Sequence, residues 1–116
     1  MKNEKLYGML FSKVYPLLYA KAERKGRTRE EVDEITSWLT GYSIETIACL
    51  LDSDITYGAF FQQAPALNEN RKKIKGTVCG IRVEDIEEPP LQEIRYLDKL
   101  IDELARGKRM DQIKRQ

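Results

Sequence analysis

The chain has 116 residues, 41% of them apolar and 34% charged, with 20 Lys and Arg against 19 Asp and Glu for a net charge of +1. That balance suits one globular domain with its own core and excludes a disordered chain, and near-neutrality excludes a global pull toward nucleic acid. With no histidine and two cysteines, Ser-His and Cys-His catalysis in the usual form and a protein-only zinc tetrahedron are excluded.

Residues 1–8 carry no strong pattern and are expected to fray, as are 108–116; the whole of 1–116 reads as one helical domain. The first helix is predicted to open at Pro16, where a missing N–H costs little. Leu17, Leu18, Tyr19 and Ala20 follow, then the charged run 21–25 and a stop at Gly26. Thr28 and Glu31 form a capping-box pair, and Val32, Ile35, Trp38 and Leu39 make an apolar stripe that ends at Gly41. Ser43 caps a third helix. Ile44, Ile47, Ala48, Leu50 and Leu51 make it apolar on most sides, so it is expected to be buried.

Asp54 or Thr56 opens a short helix through Phe60 and Phe61 that closes before Pro65, and Asn68 caps another turn or two. Segment 77–88 is the least helical, with Val78, Ile81 and Val83 compatible with a strand. Pro89 and Pro90 start the strongest helix, with Leu91, Ile94, Leu97, Ile101 and Leu104 as its stripe and a stop at Gly107. Lys99 with Glu103 and Asp102 with Arg106 are its i,i+4 ion pairs. Residues 110–115 add one turn.

The expected fold is an all-α, single compact bundle of five or six short helices with orthogonal-type packing. Its expected core is Leu17, Leu18, Val32, Ile35, Trp38, Leu39, Ile47, Leu51, Phe60, Ile94, Leu97, Ile101 and Leu104. No stretch approaches the roughly 20 apolar residues of a bilayer span, and residues 1–5 do not open a signal peptide. A cytoplasmic location with reduced Cys49 and Cys79 is therefore expected, and no membrane.

Several ordered blocks resemble one family: Phe11-Ser12-Lys13-Val14-Tyr15-Pro16, Trp38-Leu39-Thr40-Gly41-Tyr42, and the runs 21–28, 64–68, 75–83 and 94–105. Together they resemble the bacterial family catalogued as domain of unknown function 2200. The resemblance implies a small all-helical bacterial domain and brings no activity to place on particular residues.

Four features are candidates for function. Ser37, Gly41 and Ile47 have the spacing of a helix-turn-helix, although segment 43–51 has no Lys or Arg to read DNA; a plain αα-hairpin that packs Trp38 on Ile47 is the favoured reading. Basic patches for nucleic acid are Lys21, Arg24, Lys25, Arg27 and Arg29, then Arg71, Lys72, Lys73 and Lys75, then Arg106, Lys108, Arg109, Lys114 and Arg115. Tyr15, Tyr19 or Tyr42 would stack on bases. The acidic run of Glu84, Asp85, Glu87, Glu88 and Glu93 opposes such patches. Lys75, Cys79 and Arg82, with Gly76 and Gly80, suggest a pocket for a small anionic ligand. Ile94, Leu97, Ile101 and Leu104 suggest a seam for self-association.

No phosphate loop, nucleotide-binding glycine pattern or marked pair of acids is present, so neither a catalytic site, a metal nor a cofactor is expected. The leading expectation is a non-catalytic interaction module for a protein partner or for itself. Nucleic-acid binding and an anionic-ligand pocket are the alternatives.

Overall fold

The computed structural model describes residues 2–78 and 80–115. Helix α1 (Lys2–Tyr7) leads into α2 (Phe11–Glu23), α3 (Arg29–Thr40), α4 (Ile44–Leu51) and α5 (Tyr57–Gln62). A 3-10 turn over Glu69–Lys73, strands β1 (Thr77–Val78) and β2 (Ile81–Arg82) and a second 3-10 turn over Val83–Asp85 connect these to α6 (Pro89–Ala105) and α7 (Met110–Ile113). The strands form a minimal antiparallel hairpin, Thr77 opposite Arg82 and Val78 opposite Ile81. The architecture is an all-α bundle.

Local chemistry accounts for most helix starts. Thr28 and Glu31 close a capping box at α3, and the side chains of Ser43, Thr56 and Asn68 each accept a backbone N–H at the start of the next helical segment. Gly41 ends α3 with a left-handed φ of 84°.

The start of α2 departs from expectation. Pro16 lies inside this helix, not at its first turn. Phe11, Tyr15, Leu18, Tyr19 and Ala22 share its buried face, so starting at Phe11 brings two aromatic side chains into the core. Burying Phe11 and Tyr15 offsets the roughly 3 kcal/mol of an interior proline. No side chain caps this start; Phe11 N donates to Ile55 O at 2.9 Å and Tyr57 N to Met9 O at 2.7 Å, a bridge to a distant segment. Leu17 falls on the opposite face of the helix and is 63% exposed, outside the core expected for it.

α6 is the centre of the fold. It packs against α2, α3 and α5, and also touches the hairpin and α7. Ile94, Leu97, Leu100, Ile101 and Leu104 are each at most 1% exposed. The stripe considered as a self-association seam is thus covered within the chain, because the helix that carries it is wrapped by others. Of its expected ion pairs, Asp102 and Arg106 meet at 3.1 Å, whereas Glu103 turns to Arg115 and Lys99 reaches Thr77 O. α7 seats Ile113 at 0% exposure, and Arg115 bonds Glu103 at 2.6 and 2.8 Å.

An aromatic cluster joins α2, α5 and the α3–α4 turn. The Phe60 ring lies 4.2 Å from Phe11, 4.7 Å from Tyr42 and 5.1 Å from Phe61. The Tyr42 hydroxyl donates to Phe60 O at 2.7 Å. α4 is less buried than its composition suggests. Only Ile47 is fully buried there, while Ile44 is 44% exposed, because the helix lies at the edge of the bundle.

Arg27 ties the α2–α3 turn to the end of α6. It donates to Glu31 at 2.7 Å and to the carbonyls of Leu104 and Lys108 at 3.2 and 2.9 Å. The Arg27 bonds, and then those from Thr28, hold the Glu31 carboxyl at about 2. A carboxyl depressed in the folded state stabilises fully above its unfolded value and loses that contribution as pH falls toward the folded one. Glu31 is 27% exposed. Allowing for solvent screening, Glu31→Gln is expected to cost about 1–2 kcal/mol at pH 7, with the gap from wild type shrinking below about pH 4.5. Urea melts across that range check it; an equal gap at pH 7 and pH 2.5 would remove the pair as its cause.

Candidate docking cleft on the outer face of α3

α3 has two working faces. Val32, Ile35, Thr36, Leu39 and Thr40 face the core. Glu30, Asp33, Glu34, Ser37 and Trp38, at i, i+3, i+4, i+7 and i+8, share the other face. With Ile44 from the start of α4 and Lys114 from beyond α7, they line a cleft of about 540 Å³. Trp38 is half-buried, packed on the edge of the core, and Ile44 is among the exposed large apolar side chains. The capping geometry places Ile44 here, because the Gly41 turn and the Ser43 cap set the first turn of α4 beside the end of α3.

The polar groups are held from behind. The Tyr19 hydroxyl donates to Asp33 Oδ1 at 2.6 Å. The Tyr15 hydroxyl lies 2.9 Å from the same oxygen and 2.8 Å from Thr36 Oγ1. Burial first, then the bond to Asp33 and its charge, push the Tyr19 phenol well up; burial also dominates the larger rise at Tyr15. Both phenols therefore stay protonated at neutral pH and keep Asp33 as a fixed acceptor. The Arg29 guanidinium covers the Tyr19 ring at 5.0 Å. Lys114 pairs with Glu34. An apolar floor rimmed by carboxylates suits a ligand with an apolar body and positive charge. Among the described residues, no group of three or more His, Cys, Asp or Glu side chains is placed to hold a metal ion.

The residues singled out from sequence are dispersed. Lys21, Arg24 and Lys25 join Arg106 around Asp102 in a second cleft of about 700 Å³. Asp102 takes up part of that charge, with Lys21 at 3.5 Å and Arg106 at 3.1 Å, and the C-terminal ends of α2 and α6 add their negative dipole ends. Arg27 is engaged as described. Arg71 donates to Glu93 and to Asn68 O, both at 2.9 Å, while Lys72 and Lys73 are exposed. Tyr15, Tyr19 and Tyr42 are at most 8% exposed, so they cannot stack on bases. Helices α3 and α4 do form a hairpin around Gly41, but the exposed residues of α4 include Glu45 and no cation.

In the suggested anion pocket, Lys75 and Arg82 are exposed, and Cys79 lies outside the described residues. Gly76 N–H does face an anion there, the chain's own Glu84 carboxylate at 3.0 Å. That bond, with smaller help from Arg82 and Lys75, lowers the Glu84 carboxyl.

Sequence reasoning missed Glu30, Asp33, Glu34 and Ile44 as a site and placed Trp38 in the core. The available signal was the second helical face of α3, polar throughout and ending in an aromatic.

The helical bundle with its apolar, carboxylate-rimmed cleft defines the class, a small all-α protein. The chain belongs to the family described as an uncharacterized protein conserved in bacteria (DUF2200), whose model matches residues 5–115. It is similar to a solved structure, that of uncharacterized protein SP1917, at 52% identity and a TM-score of 0.92, covering 95% of this chain and 90% of that one. No curated protein matches the chain. Among the described residues, no helix is long and apolar enough to cross a membrane.

Proposed function

We propose that this protein is a non-catalytic interaction module that docks a basic segment of a partner protein in the α3–α4 cleft. The observation that carries the reading is the union, on one surface, of Trp38 and Ile44 with the carboxylates of Glu30, Asp33 and Glu34. Three acids against Lys114 leave the lining with a net charge of −2. Charge complementarity therefore selects a positively charged occupant, and the apolar floor selects one that also carries an apolar side chain. A volume of about 540 Å³ takes a few side chains of an extended segment, not a whole helix. A cytoplasmic partner belongs to this reading, supported by the exposed free thiol of Cys49, which suits a reducing compartment. The nucleic-acid reading has weaker support, because its cations are divided between separate patches and two of them, Arg27 and Arg71, are engaged internally.

Trp38 is the sole tryptophan, so a change in its fluorescence on adding a ligand reports on this one position in the cleft. Titration with a short peptide of alternating Leu and Lys is expected to give a saturable, salt-sensitive change. Replacing Glu30 and Glu34 together with Lys is expected to weaken it at least about tenfold, the scale of close charge pairs at interfaces. An unchanged Trp38 signal, or equal affinity in the double variant, overturns the reading. A mass that rises with concentration in sedimentation equilibrium, and falls in the double variant, would instead assign the cleft to a second copy of the chain.

A further inference from the structure

We infer that the cleft contains a subsite for an alkyl-ammonium group at Glu34, and that the chain's own Lys114 occupies it as a stand-in for a lysine of the partner. This rests on the docking reading above and names the chemistry that the cleft selects.

The exposures of the pair carry the argument. The Lys114 side chain is only 16% exposed, whereas its partner Glu34 is 53% exposed. Lysine stems normally lie over apolar surface with the ammonium in water. Here the side chain is largely covered where it lines the cleft beside Trp38 and Ile44, and the ammonium is delivered to a carboxylate on the open rim. The cleft wall thus already carries a four-carbon stem whose terminal charge ends at Glu34. The group that Glu34 already holds is a compact ammonium, a point charge that one carboxylate can pair.

Lys114 can leave without undoing the fold. The residues on either side of it are anchored elsewhere, Ile113 at 0% exposure in the core and Arg115 by two bonds to the buried Glu103. Arg115 takes a left-handed φ of 52°, which turns the chain just after Lys114. With both neighbours pinned, only the Lys114 side chain needs to swing out for another lysine to enter. Lys114 is then an internal competitor. Its removal frees the subsite and changes the lining from −2 to −3, on the same count of Glu30, Asp33 and Glu34 without Lys114.

The test compares wild type, Lys114→Gln, Lys114→Met and Glu34→Gln by Trp38 fluorescence with the Leu-Lys peptide and with the same peptide acetylated on its lysines. Freeing an occupied subsite is expected to tighten binding of the unmodified peptide about fivefold or more in both Lys114 variants. Glu34→Gln is expected to weaken it, and combining Glu34→Gln with Lys114→Gln is expected to abolish the gain. Acetylated peptide is expected to bind poorly throughout. Lys114→Met retains most of the stem, so a gain in that variant as well as in Lys114→Gln assigns the competition to the ammonium. Wild-type binding that is unchanged or weaker in both Lys114 variants overturns the stand-in while leaving the docking reading in place. Equal binding of the acetylated peptide overturns the ammonium subsite. No saturable binding in any variant takes down both.

Discussion

Gly41→Val is expected to lower the unfolding free energy by about 3–5 kcal/mol, the sum of a left-handed backbone penalty and a forced displacement of packed chain. The first contribution follows from the φ of 84° at this position. The second is specific to the surroundings, because a Cβ here would sit 2.7 Å from Ala66 Cβ, 2.8 Å from its N and 2.9 Å from its O. Two of those three atoms are backbone and cannot rotate away. The segment is itself strapped to the end of α3, with Ala66 N donating to Thr40 O and Asn68 N to Leu39 O, both at 3.0 Å. A shift of Ala66 would therefore open those bonds and disturb the turn that sets Ile44 beside Trp38. Gly26 is the internal control. It has a similar φ of 80° with nothing within 4 Å, so Gly26→Ala should cost only about 1–2 kcal/mol. Urea denaturation of both variants decides the matter. If Gly41→Val loses no more than Gly26→Ala, the close approach of Ala66 contributes nothing.

Phe60→Ala is expected to cost a similar amount, about 3–5 kcal/mol, as for other fully buried aromatics cut back to Ala. Phe60 is 0% exposed and contacts the rings of Phe11, Tyr42 and Phe61, so its removal leaves a cavity faced by rings that themselves hold separate helices. Near-UV circular dichroism should weaken along with stability, because the remaining rings lose their fixed orientations. Leu17→Ala is the contrasting case. At 63% exposure, Leu17 should give a change within about 0.5 kcal/mol, although the residue is as apolar as any in the core. Equal losses at Phe60 and Leu17 would contradict the burial pattern of α2 and α5.

That contrast shows which features of the fold are legible in the sequence. Capping by Thr28, Ser43, Thr56 and Asn68 is a bond between a side chain and a backbone group two or three residues away, so these helix starts can be read locally. The stripe of α6 is legible for the same reason, since a single helix face repeats at a fixed period. The start of α2 is not, because its first amide is satisfied by Ile55 O, a partner that only tertiary structure supplies. Pro16 then reads as a boundary although the helix passes through it. Ile113 is similarly opaque, lying in a four-residue helix whose burial depends on α3 and α6.

The cleft was harder still. Its α3 residues are regularly spaced, but charged residues on an outer face normally mean only solvation, and Trp38 sits close enough to the apolar stripe to be counted with it. What turns that face into a cleft is the arrival of Ile44 and of Lys114, the latter 80 residues away from Glu34 in sequence. The basic patches are legible in the opposite sense. They were conspicuous as runs, yet Arg27 and Arg71 serve as struts between elements, a role that a run of charges does not reveal.

The central position of α6 has a consequence for how the chain comes to be folded. Helices α2, α3 and α5 all rest on it, and all precede it in synthesis. Until residues 89–105 have left the ribosome, the faces of α2, α3 and α5 that rest on α6 have nothing to close against, although α2, α3 and α5 can already touch one another. At about 5–20 residues per second, the nascent chain carries that open apolar face for a few seconds. The molecule is therefore expected to complete its core only after α6 emerges, and during that interval to be a client for chaperones that shield apolar surface on growing chains.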